Sequence, residues 1–359
     1  MKVLLLGEFS GFYKYLKAGL EANDVEVDWY ASGDGYKKIT GMDGDLLGHS
    51  GNKFYDKIIF PIQLVTRLKT YDVIQLVHPL IFSPWINKFL VKILKRKCKI
   101  LVISAVGTDY YVYKYRDNPN KEFGYSLLDG CNDYDVFYAK KSRYSRNDIE
   151  VIKMCDALIP GIYDYEVAHR DIEKTCSVIR FPIDVDTVSY SENVVSEKVI
   201  FFHGLNRESF KGTSYIRYAM EKLKEKYPDE VEVIIDGRMP FDKYMKIMKK
   251  SNVILDQCKS YGPGINALLA MAQGKIVLSG AENLSIEGMQ QKDYPIFNII
   301  PDSEQIFNVM EYILKNRDQI CRWGFDSRKF VEKYYNYVEN AKLYKETWEM
   351  LITKKNKEN

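Results

Sequence analysis

The chain of 359 residues lacks paired cysteine spacing and any HExxH pattern; Cys98, Cys131, Cys155, Cys176, Cys258 and Cys321 are scattered, and there are only 4 histidines. A disulfide framework and a structural metal are therefore not expected, and the cysteines read as free thiols of a reducing cytoplasm. No run of about 18 apolar residues is present, and the apolar stretch in MKVLLLGEF is too short for a signal peptide or a membrane span. Charge of one sign is also missing: Lys plus Arg 52 against Asp plus Glu 49 leaves a net +3. No general field draws the chain to nucleic acid, so any anion site must be local. A complete GxGxxG is absent after the first apolar run, which disfavours a dinucleotide cofactor, although Asp28 stands at about the distance of a ribose partner. Tyrosine, by contrast, is abundant at 28 residues. Many lie between Tyr110 and Tyr144, where they suit either sugar contacts or half-buried packing.

The length suggests two domains of ordinary size. The first half alternates strand and helix: strands at 2–6, 25–30, 73–77, 98–104, 157–160 and 176–181, with helices at 12–21, 58–69, 84–97 and 149–155. The loop at 31–52 is long enough to border a substrate cleft. The segment 111–147, aromatic and basic with Arg116, Lys140, Lys141, Arg143 and Arg146, reads as an insertion over that cleft. A polar stretch at 186–198 is the linker candidate. Alternation then resumes, with strands at 199–202, 231–235, 253–255 and 275–278 and helices at 213–226 and 241–250, followed by smaller units around 297–300 and 304–316. Helices at 327–336 and 340–352 follow, and 354–359 reads as a charged, disordered tail. This is an α/β chain of two Rossmann-like, doubly wound parallel sheets.

The stretch NVILDQCKSYGPGINALLAMAQGKIVLSG at 252–280 is a strand, a tight loop and a helix. Pro263 suits a first helical turn and Gly274 its end. A helix opening at Gly262 to Gly264 would leave amides unpaired at a positive dipole end, where phosphate binds; it could equally be a core helix of an α/β domain. His203 to Gly212 and Asp236 to Met239 converge on the same sheet edge. Arg207 and Lys211 in the first of these loops would neutralise a diphosphate as it leaves.

Other positions keep two readings. His78 ends a strand at a ligand crevice or merely caps packing. Asp109, in AVGTD, holds hydroxyls of an acceptor or sugar, or caps the next helix. The basic helix at 84–97, with Lys88, Lys92, Lys95, Arg96 and Lys97, rests on an anionic bilayer at about 1 kcal/mol per basic residue, or is a solvated outer face.

With these residues in view, the chain resembles the GT-B glycosyltransferases, closest to the retaining, nucleotide-sugar-dependent family that builds bacterial polysaccharides. HGLNRESFKGTSYI resembles that family's phosphate segment, DQCKSYGPGINALLAMAQGKIVLSG its donor loop and helix, FPIDVDTV its hinge approach, SAVGTDYY its Gly-x-Asp turn, and the aromatic carboxyl helix the one that crosses back. The resemblance implies an acceptor domain at 1–186, a donor domain at 187–336, and at 337–359 a helix packing back on the first domain. It implies a cytoplasmic, metal-independent hexosyltransferase, associated with the inner face of the plasma membrane, with no cofactor beyond its nucleotide diphosphate sugar. The acceptor would be a glycan or lipid-linked sugar in surface polysaccharide biosynthesis.

Arg207, Lys211 and Asp109 would carry the chemistry. Gly204, Gly237, Tyr261, Gly262, Pro263, Gly264 and Asn266 would face the donor, and Gly11, His78 and Thr108 the acceptor. The pattern departs from the family where paired glutamates are usual: Tyr261 and Leu269 stand there, leaving Asn266 to take over the ribose. Val106 replaces a usual histidine. These departures also fit a catalytically degenerate subunit that binds nucleotide or glycan for a partner enzyme. A sugar-nucleotide epimerase, which needs carboxylates beside the donor, fits less well.

Overall fold

The computed structural model describes residues 1–138, 142–283, 285 and 294–358. Lys140 and Lys141 of the basic insertion lie outside them, as does Asn359 at the chain end. Two five-stranded parallel sheets form its frame. The first holds β1 (Lys2–Leu6), β2 (Glu26–Tyr30), β3 (Tyr71–Leu76), β4 (Cys98–Ala105) and β5 (Ala157–Pro160) in the order β2-β1-β3-β4-β5. The second holds β6 (Val199–Leu205), β7 (Val231–Gly237), β8 (Val253–Leu255), β9 (Ile276–Ser279) and β10 (Ile296–Asn298) in the order β10-β9-β8-β6-β7.

Successive residues of β1 explain why its strand is apolar throughout. Val3 and Leu5 join one buried cluster and Leu4 and Leu6 another, on opposite faces of the sheet. A parallel strand covered by helices on both sides requires that continuity. In both sheets the strand order reverses at one place, between β1 and β3 and between β6 and β8. The crevice beyond the strand ends at such a switch point is where open α/β sheets place their ligands. The carboxyl ends of both switch points face one cleft.

The halves share packing beyond that cleft. One apolar cluster runs from Val3 and Phe12 through Phe181 and Tyr335 to Phe202 and Leu268. The stretch at 186–198 is coil pinned to the second sheet, where Asn193 donates to the Asn252 carbonyl at 2.9 Å and accepts from the Asn252 amide at 2.9 Å. The last helix, Tyr337–Glu358, returns to the first sheet: Trp348 Nε1 donates to Gln75 Oε1 at 3.0 Å, and Tyr344 packs against Phe12. Its close approach depends on Gly19, because a Cβ there would collide with the Tyr337 carbonyl oxygen. We expect Gly19→Val to lower the thermal midpoint by several degrees, as overpacking of roughly 1–3 kcal/mol does.

Several sequence expectations need correction. Residues 176–181 form no strand. They run beside β5 with isolated bonds, Cys176 N–H to the Leu158 carbonyl at 2.8 Å and Ile179 N–H to the Pro160 carbonyl at 3.0 Å, and Pro182 has no N–H to extend a ladder. Residues 203–212 are less of a loop than expected, since β6 runs on to Leu205 and a short helix covers Glu208–Lys211. The charged tail is helical to Glu358, held where Lys355 Nζ reaches the Lys99 carbonyl at 2.7 Å and Asp156 at 3.0 Å.

Candidate active site

The cleft between the two switch points has a volume of about 440 Å³ and is lined from both halves, a size ordinary for small-ligand sites. From the first sheet come Phe9 and Ser10 after β1, His78 after β3, and Val106, Gly107 and Thr108 after β4. Asp34, Tyr36 and Lys37 of the long second loop stand at its rim, as its length suggested. Asn206, Arg207 and Lys211 after β6, with Asp256, Gln257, Gly264 and Asn266 after β8, form the facing wall. Ser10, Asp34, Arg207 and Arg238, none of them glycine, have φ of 59, 54, 53 and 54°. Left-handed backbone at three positions of this cleft, and at Arg238 of the smaller pocket beside it, is the kind of strain that ordered ligand sites hold.

Lys211 closes the short helix Glu208–Lys211 and is only 5% exposed. Its Nζ donates to Asp256 Oδ1 at 2.9 Å and to the Gly204 carbonyl at 3.3 Å. Beneath it His203 is buried, with Nδ1 against the Leu255 carbonyl at 2.8 Å and Nε2 against Thr213 Oγ1 at 2.9 Å. The carbonyl requires Nδ1–H as donor, so Nε2 accepts from the hydroxyl. Burial first, then the Lys211 charge, pushes this imidazole down to about 4, and it stays neutral. Arg207 reaches across the cleft: Nη2 donates to Thr108 Oγ1 at 2.7 Å and to Tyr134 Oη at 2.7 Å, while its guanidinium stacks 3.7 Å from the Phe210 ring centroid.

The glycine turn differs from expectation. The helix is Ile265–Ala272, capped by Gly264, so Pro263 lies before it rather than in its first turn. Leu268 is the first amide to bond back, to the Gly264 carbonyl at 3.2 Å; the preceding amides have no intrahelical acceptor. Gly264 and Asn266 line the cleft. Tyr261, Gly262 and Pro263 are buried away from it. Tyr261 packs among Phe123, Tyr125 and Tyr163, donates its hydroxyl to the Tyr125 carbonyl, and gives its N–H to Asp164 at 2.9 Å. Gly262 N–H turns back to Ser260 Oγ at 3.3 Å. The turn is thus filled by its own side chains, and only its last glycine is open to a ligand. Burial pushes Asp164 up to about 7. Leu269 is fully buried.

Gly204 accepts from Lys211 through its carbonyl, and Gly237 ends β7 with its N–H bonded to Asp236 at 2.7 Å. Neither lines the main cleft; Gly204 borders a smaller pocket beside it, formed with Tyr36, Arg238, Tyr244 and Asn266.

On the first half, Asp109 resolves to the second of its readings. It caps the helix Tyr110–Tyr115, accepting from Tyr111 N–H at 2.9 Å and Val112 N–H at 3.0 Å, and its other oxygen meets His169 Nε2 at 2.7 Å. Only 2% exposed, it does not reach the cleft. His78 lines the cleft with both nitrogens engaged: Nδ1 accepts from Leu80 N–H at 3.0 Å, so Nε2–H donates to the Thr108 carbonyl at 2.9 Å. Burial lowers its pKa, and it positions Thr108 without a free nitrogen for substrate. Gly11 N–H is given to Glu8 at 2.8 Å, and Lys14 N–H to the same carboxyl at 3.1 Å. That carboxyl fills the start of the helix Phe12–Glu21, and burial pushes it up to about 8.

The Asp109–His169 pair makes a stability prediction. Burial opposes both charges, yet the partner outweighs it, holding Asp109 below and His169 above the ordinary values. The carboxylate's contribution is present above about pH 4 and lost as pH falls through its lowered folded value; the imidazolium's is present below about pH 6.5 and lost as pH rises through its raised one. Removing one partner of a buried pair costs about 3–5 kcal/mol. In urea melts, His169→Ala is expected to lose more stability at pH 5.5 than at pH 9; an equal loss at both would contradict an ionised pair.

Asp256, Gln257, Tyr134, Asp164 and His169 were not singled out from sequence. Asp256 and Gln257 had a visible signal, as polar residues directly after the apolar run of β8. Tyr134, Asp164 and His169 depend on which distant segments meet, which no local pattern states.

No family model and no curated protein matches this sequence. Solved structures do resemble the fold. A sucrose-phosphate synthase from Thermosynechococcus elongatus aligns with a TM-score of 0.63 at 15% identity, over 98% of this chain and 100% of that one. HepE of Anabaena, in complex with UDP and glucose, gives 0.63 at 13% identity over 98% and 100%. WaaG, a glycosyltransferase involved in lipopolysaccharide biosynthesis, gives 0.61 at 12% identity over 96% and 99%. These neighbours, the two switch points and the cleft between them establish that the chain has the GT-B fold of glycosyltransferases.

Proposed function

We propose that the protein transfers a hexose from a nucleotide diphosphate donor to a glycan or lipid-linked acceptor, in bacterial surface polysaccharide biosynthesis. The observation that carries this reading is the wall on which Lys211, Arg207 and the open start of the helix Ile265–Ala272 stand together, facing the first sheet. An ammonium, a guanidinium and free amides are what a departing diphosphate needs, and preorganised donors of this kind dominate catalysis where charge develops. HepE, of the same fold, was solved with UDP and with UDP-glucose. The donor half would be residues 187–336 and the acceptor half 1–186, with 337–359 crossing back. Asp109 acts here through Thr108 and its helix rather than on substrate, and Asn266 is the polar side chain nearest the ribose role. The test is a panel of nucleotide sugars scored by thermal shift and single-turnover transfer. A ligand at 100 times its Kd adds about 2.7 kcal/mol, and no shift with any member would contradict the reading.

Metal independence belongs to the proposal, since side chains and amides supply the charge that Mg²⁺ supplies elsewhere. Among the described residues no three His, Cys, Asp or Glu side chains gather as a metal site. Turnover in excess EDTA is expected to match turnover in Mg²⁺, whereas a loss restored by Mg²⁺ would refute this part.

Among the described residues no helix is long and apolar enough to cross a membrane. The helix Asn87–Lys95 nevertheless presents Phe89, 57% exposed, beside Trp85, 72% exposed and stacked under Arg143. With Lys88 and Lys92 this face suits peripheral contact with the anionic inner leaflet. The double change Trp85→Ala, Phe89→Ala is expected to reduce co-sedimentation with phosphatidylglycerol vesicles and spare transfer to a soluble acceptor.

A second reading is favoured by Tyr261 and Leu269, whose burial leaves the cleft without the usual glutamates: a degenerate subunit that binds nucleotide or glycan for a partner enzyme. Calorimetric binding of UDP or GDP with neither hydrolysis nor transfer by the isolated chain would select it.

A further inference from the structure

The position a phosphate would take beside Lys211 already holds an anion. Asp256 is 2% exposed and lines the cleft. Its Oδ1 lies 2.9 Å from Lys211 Nζ, and its Oδ2 would be 3.1 Å from a Cβ on Gly264, the cap of the helix Ile265–Ala272. The carboxylate therefore sits between the ammonium and the amide end, the two groups assigned to the diphosphate. Resting on the nucleotide-sugar reading, we propose that Asp256 is an internal counter-anion at the diphosphate position. Lys211 exchanges Asp256 for phosphate when a nucleotide diphosphate binds, and recaptures it when the product leaves.

The exchange keeps a buried ammonium paired in both states, which spares the protein an uncompensated charge while the site is empty. It also places a like charge beside the bound diphosphate, so the product is held less tightly than the cations alone would hold it. Arg207 needs no such partner, because its empty-state contacts are the neutral Thr108 and Tyr134 hydroxyls and the Phe210 ring. Asp256 is thus the residue that sets diphosphate affinity in this cleft.

Calorimetric titration with UDP, GDP and inorganic pyrophosphate tests this on the full chain. Asp256→Asn is expected to bind the diphosphate of the preferred nucleotide at least tenfold more tightly than the wild type. Lys211→Met, which leaves the carboxylate facing phosphate, is expected to bind it at least tenfold more weakly. The double change Lys211→Met, Asp256→Asn replaces an ion pair of zero net charge with two uncharged side chains and strands no buried charge, so it remains testable if Asp256→Asn folds poorly; it is expected to recover most of what Lys211→Met lost. Unchanged or weaker binding by a folded Asp256→Asn, or a double variant as weak as Lys211→Met, overturns the proposal while wild-type binding of UDP or GDP leaves the nucleotide reading intact. Weaker binding of the sugar nucleotide alone, with its diphosphate unaffected, assigns Asp256 to the sugar hydroxyls and also overturns it. No binding of any of the three probes by the folded wild type overturns both.

Discussion

Lys211→Met is expected to lower the single-turnover rate of sugar transfer by about 10²–10³-fold, the usual consequence of deleting one preorganised donor to a developing charge. Lys211 is 5% exposed, so little water screens its charge. Part of any loss of activity will be loss of fold, because the change strands Asp256 as a buried, unpaired carboxylate, at about 3–5 kcal/mol. The double change with Asp256→Asn separates the two effects. It is expected to return the melting temperature close to the wild-type value without restoring the rate, since no cation then faces the leaving group. Recovery of both together would mean that Lys211 only supports the fold.

Arg207→Ala is expected to lower the single-turnover rate at saturating donor by about 10²-fold with a change in stability of less than about 1 kcal/mol, as usual for polar groups outside the core. The backbone at this position is already left-handed, φ 53°, for a side chain with a Cβ, so alanine adds no strain. Arg207 bonds to Thr108 and Tyr134 of the first half, so its removal also deletes these bonds across the cleft, while Tyr261 and Asp164 still tie the halves together. Arg207→Lys is expected to recover little of the rate, because an ammonium reproduces neither the forked donors nor the stacking on Phe210. Single-turnover transfer at saturating donor measures both variants, and a rate within threefold of wild type for Arg207→Ala would remove it from the chemistry.

The frame of this fold was legible because it is written locally. Strands such as Lys2–Leu6 and Val253–Leu255, and amphipathic stretches such as Phe12–Glu21, Thr213–Lys226 and Phe241–Lys250, meet their expected bounds because strands covered on both faces and helices covered on one leave periodic traces. The expectation failed at 176–181, where an apolar run beside a short strand looks like a strand until Pro182 and the sheet edge are known. The site was legible in part. Arg207, Lys211, Gly264, Asn266, His78 and Thr108 do meet at one cleft, because strand ends at a switch point converge whatever their sequence distance. The direction of a side chain in a tight turn was not legible: Tyr261 and Gly262 turn inward to Asp164 and Ser260, partners supplied by the other half of the chain and by the turn itself. Asp109 has two readings in sequence because the partner that fixes its direction, His169, lies 60 positions away.

A diphosphate is expected to bind where Lys211, Arg207 and the amides after Gly264 converge. A crystal structure of the protein with UDP tests it most directly. The β-phosphate should lie within hydrogen-bond distance of Lys211 Nζ and of the first amides of the helix Ile265–Ala272, with Asp256 displaced from the lysine. A UDP seated elsewhere, or in the cleft with the Lys211–Asp256 pair intact and no phosphate contact to Arg207, would contradict the account.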